Sequence, residues 1–192
     1  MSAIRVPTLR DLITCAIVAG LAGCAGGGAP DELPRAYDLG IETPAAHMPA
    51  VHLRSVRAVQ PFDDRAMHYR LAYRDGAELG TFANSRWAAR PPDLVSKQIA
   101  RAMQPGAARC ALEIEVQEFS QVFSAQDVST ARLELVATLA LRADRIGTRT
   151  LRISEPQGGA NAAQGVASMQ RAVARAVAEL ARWIESVPAC RS

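Results

Sequence analysis

The chain has 192 residues, 49% of them apolar and 21% charged, with a formal net charge of +3. So small a surplus, with no block of five or more basic residues, supplies neither the footprint of a nucleic-acid binder nor an attraction to acidic surfaces. The apolar fraction is that of an ordinary globular domain and excludes a chain too polar to build a core.

Arg5 and Arg10 precede an apolar run from Leu12 to Ala22, after which the chain turns polar and glycine-rich at Cys24. This is the charged n-region, short h-region and small-residue cleavage site of an exported precursor. The run, roughly a dozen residues, is too short for a spanning helix, which needs about 20. An ordinary secretory site would end in an Ala-x-Ala type pattern, whereas Leu21-Ala22-Gly23-Cys24 resembles the lipobox read by lipoprotein signal peptidase. Residues 1–23 are therefore expected to be a lipoprotein signal peptide, with Cys24 the first mature residue. Its sulfur takes the diacylglycerol, and the small residues before it let the backbone reach the protease. Each buried acyl CH2 contributes roughly 0.8 kcal/mol, so one chain such as palmitate holds a protein marginally and two or more hold it stably. Ala25 follows where, by the sorting rule of enteric bacteria, an Asp would retain the lipoprotein in the inner membrane. The expected location is an outer-membrane lipid anchor facing the periplasm.

Without the leader about 170 residues remain, enough for one domain with its own core. Gly26 to Gly28 and the stretch through Pro30 and Pro34 read as a flexible tether over 24–35, with the folded domain spanning 36–188. Cys15 falls in the leader and Cys24 carries the lipid, so Cys110 and Cys190 are left in an oxidising compartment. They form either one bridge or two separate buried thiols, and spacing alone does not decide between them.

Val51, Leu53, Val56 and Ala58 alternate with one slip of phase, as a strand with a bulge would. Met67, Tyr69, Leu71 and Tyr73 form a cleaner strand, Asp75-Gly76 supplies a tight turn, and Glu78 to Phe82 returns as its hairpin partner. Pro91-Pro92-Asp93 opens a helix whose apolar stripe is Leu94, Val95, Ile99 and Met103, ended by Pro105-Gly106. Leu112, Ile114 and Val116 then alternate, Phe119 shifts phase, and the strand continues to Phe123. Leu133 to Leu141 form the longest uninterrupted alternation, and Leu151 and Ile153 mark a further strand. The final helix, from about Ala160 to Glu185, repeats Val166, Met169, Val173, Val177, Leu180 and Ile184 along one face. The expected fold class is α+β, an antiparallel sheet packed on one side by two main helices.

Chemistry-bearing constellations are missing from the pattern. His47, His52 and His68 are not spaced as metal ligands, and no nucleophile elbow, Walker loop, zinc-protease motif or dinucleotide fingerprint occurs. Glu113 and Glu115 share a solvated strand face, and Gly158-Gly159 lacks the Lys and hydroxyl of a phosphate loop. The expectation is a protein that is not an enzyme and carries no cofactor or metal.

From Tyr37-x-Leu39, through Tyr69-x-x-x-Tyr73, Arg86-Trp87-Ala88 with Pro91-Pro92, the Ser-Gln core of Phe119 to Phe123, and the helix ending in Trp183-Ile184, the domain resembles a known family. It is the ABC-type transport auxiliary lipoprotein component family, which includes the PqiC-type lipoproteins. One departure is Phe82, which stands where a Tyr is usual and keeps the ring without its hydroxyl. The resemblance implies no catalytic residues. It implies a lipoprotein partner of an MCE-type ABC transporter moving phospholipid or another lipid across the envelope, acting by contact with the MCE-domain substrate-binding protein and open to homo-oligomer formation. Trp87 and Tyr73 have two readings, as packing residues or as anchors for that partner. A structural or assembly-factor lipoprotein of the outer membrane, unrelated to transport, would present the same features.

Replacing the lipobox sulfur tests the first of these expectations. Cys24→Ala is expected to abolish incorporation of labelled palmitate and to move the chain from the membrane to the soluble fraction. Labelling that survives the substitution would place the lipid elsewhere.

Overall fold

The computed structural model describes residues 33–42 and 45–191. Cys24, the expected leader and residues 24–32 of the expected tether lie outside the described residues. In chain order the elements are β1 (Arg35–Tyr37), β2 (His52–Ala58), β3 (Ala66–Leu71), β4 (Asp75–Trp87), α1 (Pro91–Ala102), β5 (Cys110–Phe123), β6 (Val128–Leu141), β7 (Asp144–Gly158) and α2 (Ala162–Ser186). A short 3-10 turn, Pro188–Cys190, closes the chain. Residues from Pro34 onward form one contact unit.

All seven strands join one sheet in the order β1-β4-β3-β5-β6-β7, with β2 also paired to β5. β5, β6 and β7 form an antiparallel meander, and β3 and β4 an antiparallel hairpin. The sheet as a whole is mixed, which corrects the expectation of an antiparallel one: β1 runs parallel to β4, and β2 and β3 both run parallel to β5. The period-two pattern reports which face a residue occupies and carries no information on the direction of the neighbouring strand. β2 and β3 lie end to end along one edge of β5, β2 against Ala111 to Val116 and β3 against Ser120 to Phe123. Residues 59–65 loop out between them, and the Val59 amide donates to the Val116 carbonyl at 3.0 Å.

Both phase slips in the sequence are register shifts here, one between Leu53 and Ser55 in β2 and one between Val116 and Glu118 in β5. A bulge rotates every later side chain to the opposite face. Leu112, Ile114 and Val116 before it and Phe119 after it are thereby all buried. The β3–β4 hairpin differs from expectation. Its turn is Ala72 to Arg74, Asp75 already belongs to β4, and that strand continues to Trp87 through a large irregularity opposite Met67. The polar stretch Ala83 to Arg86 gave no period-two signal because it is an exposed edge that only β1 partly covers.

Both helices cover one face of the sheet, α2 over β6 and β7 and α1 over β2 and β5, with the helices also in contact with each other. The whole expected stripe of α2 is buried, and the Asn161 side chain caps its start by accepting from the Gln164 amide at 3.0 Å. In α1, Pro91 and Pro92 occupy the first turn, where no intrahelical donor is needed, and Asp93 complements the dipole. The other face of β5, β6 and β7 carries Glu113, Glu115, Glu118, Arg132, Glu134 and Arg152, with a Glu134–Arg152 ion pair at 3.2 Å. No described helix is long and apolar enough to cross a membrane.

Leu133 sits at the centre of the covered face, opposite Phe119 on one side and Ile153 on the other, fully buried. Leu133→Ala should therefore lower unfolding stability by about 3 kcal/mol. Arg132→Ala, one residue away on the exposed face, should change it by less than about 0.5 kcal/mol. Urea denaturation of the purified mature chain reads both.

Candidate functional site

The sequence-selected side chains do not converge. Trp87, at the end of β4, is 3% exposed and packs edge-on against Phe119 with ring centroids 5.3 Å apart. Its ring belongs to the core, so the packing reading applies and no face of it is offered to a partner. Tyr73 stands in the β3–β4 turn, 38% exposed, with the Arg74 guanidinium 5.6 Å above its ring. Cys110 and Cys190 are joined by a disulfide, with Cα atoms 5.2 Å apart. The bridge ties the start of β5 to the turn after α2. His47 and His52 are exposed, and His68 is buried in β3.

His68 heads a polar grouping that sequence reasoning missed. Its Nε2 lies 3.2 Å from Asp64 Oδ1, and its register neighbour on β5 is Ser120, itself 2% exposed. A carboxylate, an imidazole and a hydroxyl are thus adjacent, yet they are not wired as a relay. Ser120 Oγ donates to Glu118 Oε1 at 2.5 Å, and His68 Nδ1 is buried with no protein partner. Glu118 in turn takes a two-pronged contact from Arg70, Nε at 3.3 Å and Nη2 at 3.1 Å. A nucleophile must be activated by a base it can reach, with room for a reacting carbonyl. The Ser120 hydroxyl is buried and meets a carboxylate already paired with Arg70, so no base that it can reach is free to activate it.

A concavity of about 610 Å³ lies between α1, α2 and the segment after β1. Leu39, Ile41, Ala45, Gln98, Gln170 and Val173 are among its lining residues. The segment is fixed by backbone capture: Gln98 Nε2 donates to the Leu39 carbonyl at 3.2 Å, and Arg101 donates to the Gly40 carbonyl at 2.7 Å. Gly40 takes φ 79°, a conformation L side chains rarely adopt, and donates to Asp38 Oδ1. Of the polar side chains lining the cleft, Gln98 is thus engaged with this segment, and Arg171 donates to the carbonyls of Ala167 and Pro156. Among the described residues no three His, Cys, Asp or Glu side chains are placed to hold a metal ion.

Charge is concentrated at two exposed clamps. Arg90, just before α1, meets Asp93 at 3.0 Å and Asp63 at 3.1 Å, tying the 59–65 loop to the helix. The hydrogen bond to Asp93, then its charge and that of Asp63, raise the Arg90 pKa above its ordinary value. Arg175 on α2 bridges Glu155 and Glu179, and hydrogen bonds to those two carboxylates raise it likewise. Both guanidiniums stay charged at any working pH.

A sheet of seven strands with two helices on one face defines an α+β domain. Its architecture is similar to that of a solved Xanthomonas campestris protein of the DUF330 family, with TM-score 0.66 and 20% identity over 78% of this chain and 94% of that one. A second solved structure, of an uncharacterized protein, gives TM-score 0.63 and 14% identity over 80% of this chain and 99% of that one. A candidate lipoprotein from Caulobacter crescentus reaches only 0.35 over 49% of this chain and is too partial to bear on the fold. No protein-family model matches the chain, and no curated protein matches it in sequence. At these identities the likeness is one of fold.

The bridge closes a loop of 80 residues that contains β5, β6, β7 and α2. A loop of that length gives about 4 kcal/mol of unfolded-state restriction. Replacing both cysteines by Ala should lower unfolding stability by about that much, and dithiothreitol should reproduce the loss in the unmodified chain but not in the double variant.

Proposed function

We propose that this protein is a membrane-anchored periplasmic lipoprotein that acts as an auxiliary component of an MCE-type ABC transport system moving phospholipid or another lipid. The observation that carries the reading is a lipobox, Leu21-Ala22-Gly23-Cys24, set a short linker ahead of a domain with the fold of a DUF330 protein. The family resemblance from Tyr37 through Trp183 supports the same assignment. The Ser120 hydroxyl and the Arg70 guanidinium are both taken up by Glu118, and Gln98 in the cleft beside α1 is taken up by the Leu39 carbonyl, which favours work by contact over catalysis. The acyl chains on Cys24 would hold the domain at the outer membrane, where its exposed surfaces meet the MCE-domain substrate-binding protein.

The test is made in the native host with a tagged full-length chain. In-cell crosslinking followed by purification should recover the MCE-domain protein. Deletion should leave the ABC pump assembled while raising sensitivity to detergents. Normal permeability together with absence of the MCE protein from the crosslinked material would overturn the proposal and favour a structural or assembly-factor lipoprotein.

A further inference from the structure

We propose that the end of the sheet carrying Tyr73 and Val128 rests against the lipid surface to which the chain is anchored. The inference builds on the reading of Cys24 as lipidated.

The register puts three turns at one end of the sheet. Leu71 pairs with Phe123, Phe123 with Ser129, and Val128 with Gly158. The β3–β4 turn, the β5–β6 turn and the connection into α2 are therefore neighbours. The opposite end holds Cys110, its partner Leu141, and Asp144. The direction in which the chain enters distinguishes the two ends. β1 runs parallel to β4, and β4 runs away from the β3–β4 turn, so the chain upstream of Arg35 arrives from the side of that turn.

Lengths sharpen the choice. Arg35 pairs with Ser85, next to the Arg86 that pairs with Ala66, while His68 pairs with Ser120. β1 thus begins level with about Phe119. At about 3.3 Å per residue it lies roughly 13 Å from the Phe123 end and roughly 30 Å from the Cys110 end. The eleven residues from Cys24 to Arg35 span at most about 40 Å even when fully extended. To set the Cys110 end on the bilayer, the upstream chain would have to reverse and spend most of its reach running back along the domain. The near end needs no reversal.

The side chains at the near end suit a bilayer interface. Val128 is 51% exposed and Tyr73 is 38% exposed, large apolar groups standing at turn tips. A tyrosine ring with a guanidinium above it matches the headgroup level, where the ring meets acyl chains and the cation meets phosphate. Beneath them Tyr69 packs on Phe82 and Phe123, with ring centroids 5.0 and 6.1 Å apart, so the turn stands on a firm base. Ile146 at the other end is less exposed than Val128 and lies beside Arg142, Asp144 and Arg145. Tyr73 and Val128 also have charged neighbours, Arg74, Asp75 and Asp127, so the choice between the ends rests on the direction and reach of the incoming chain.

Spin labelling of the full-length, lipidated chain in vesicles of phosphatidylethanolamine and phosphatidylglycerol tests this. Tyr73→Cys and Val128→Cys report on the near end and Ala143→Cys on the far end, all at exposed positions. Val128→Cys keeps Tyr73 in place. Accessibility to oxygen relative to a water-soluble nickel chelate should be several-fold higher at 73 and 128 than at 143, and mass spectrometry should find the acyl adduct on Cys24. An adduct with equal ratios at all three positions, or with the highest ratio at 143, would overturn this orientation alone. Absence of the adduct would overturn the lipoprotein reading and the orientation with it.

Discussion

The bulge in β5 between Val116 and Glu118 is the constraint on which the rest of the sheet depends. Without the extra residue, Phe119, Gln121 and Phe123 would point away from the helices and Glu118 and Ser120 toward them. With it, one 14-residue strand keeps its apolar side toward the core over its whole length. The bulge also lies where β2 ends and the chain departs into the 59–65 loop before returning as β3 on the same edge. The interruption in β5 and the break between β2 and β3 are thus one feature seen from two strands. Phe62, buried within that loop, and Arg90, held by Asp63 and Asp93, fix the excursion against the body of the fold.

Burial of polar groups follows from the same geometry. Ser120 and Glu118 come just after the bulge, on the face opposite the helices, and neither can be left dry without a partner. Arg70 from β3 supplies the charge and Ser120 the hydrogen, so the β3–β5 junction is held by polar contacts as well as by its parallel ladder. His68 and Asp64 extend the contact into the loop. The Arg70–Glu118 pair is half-buried and doubly hydrogen-bonded, and such a pair fixes geometry more than it adds net stability. Here register matters, because only four residue pairs hold β3 to β5.

Much of the fold was legible in the sequence because the two signals that carry it are strong. Period-two alternation located β5 and β6, and three- and four-residue steps located α2 with every stripe residue buried. The phase shift at Phe119 announced the bulge. Strand direction was not legible, since alternation is the same in parallel and antiparallel pairs. The far half of β4 was missed because its side chains are mostly exposed at a sheet edge and so show no contrast between faces. Of the candidate contact residues, Trp87 illustrates a general ambiguity. A large ring near a Pro-Pro helix start packs equally well inward or outward, and only its proximity to Phe119, far away in sequence, places it in the core. The Asp64, His68 and Ser120 grouping had no sequence signature, because Ser120 joins the other two only through a parallel pairing 52 residues distant from His68.

The disulfide and the point of chain entry lie at different places on the sheet, and this has a mechanical consequence. Any pull on the chain upstream of Arg35 enters the fold through β1, a three-residue strand parallel to β4. A pull along the strand loads the β1–β4 hydrogen bonds in shear, so that all must yield together, whereas a pull across the sheet would open them one at a time. The ladder is extended by the Ala88 amide donating to the Tyr37 carbonyl at 2.6 Å, and its last pair, Tyr37 with Trp87, is backed by the Trp87 contact with Phe119 of β5. The edge strand thus ends beside a residue whose buried ring touches the central strand. From there β5 is covalently joined at Cys110 to the end of the chain, which closes the meander and α2 into a single loop. The three-residue edge strand thus ends on a pair that is packed against the core.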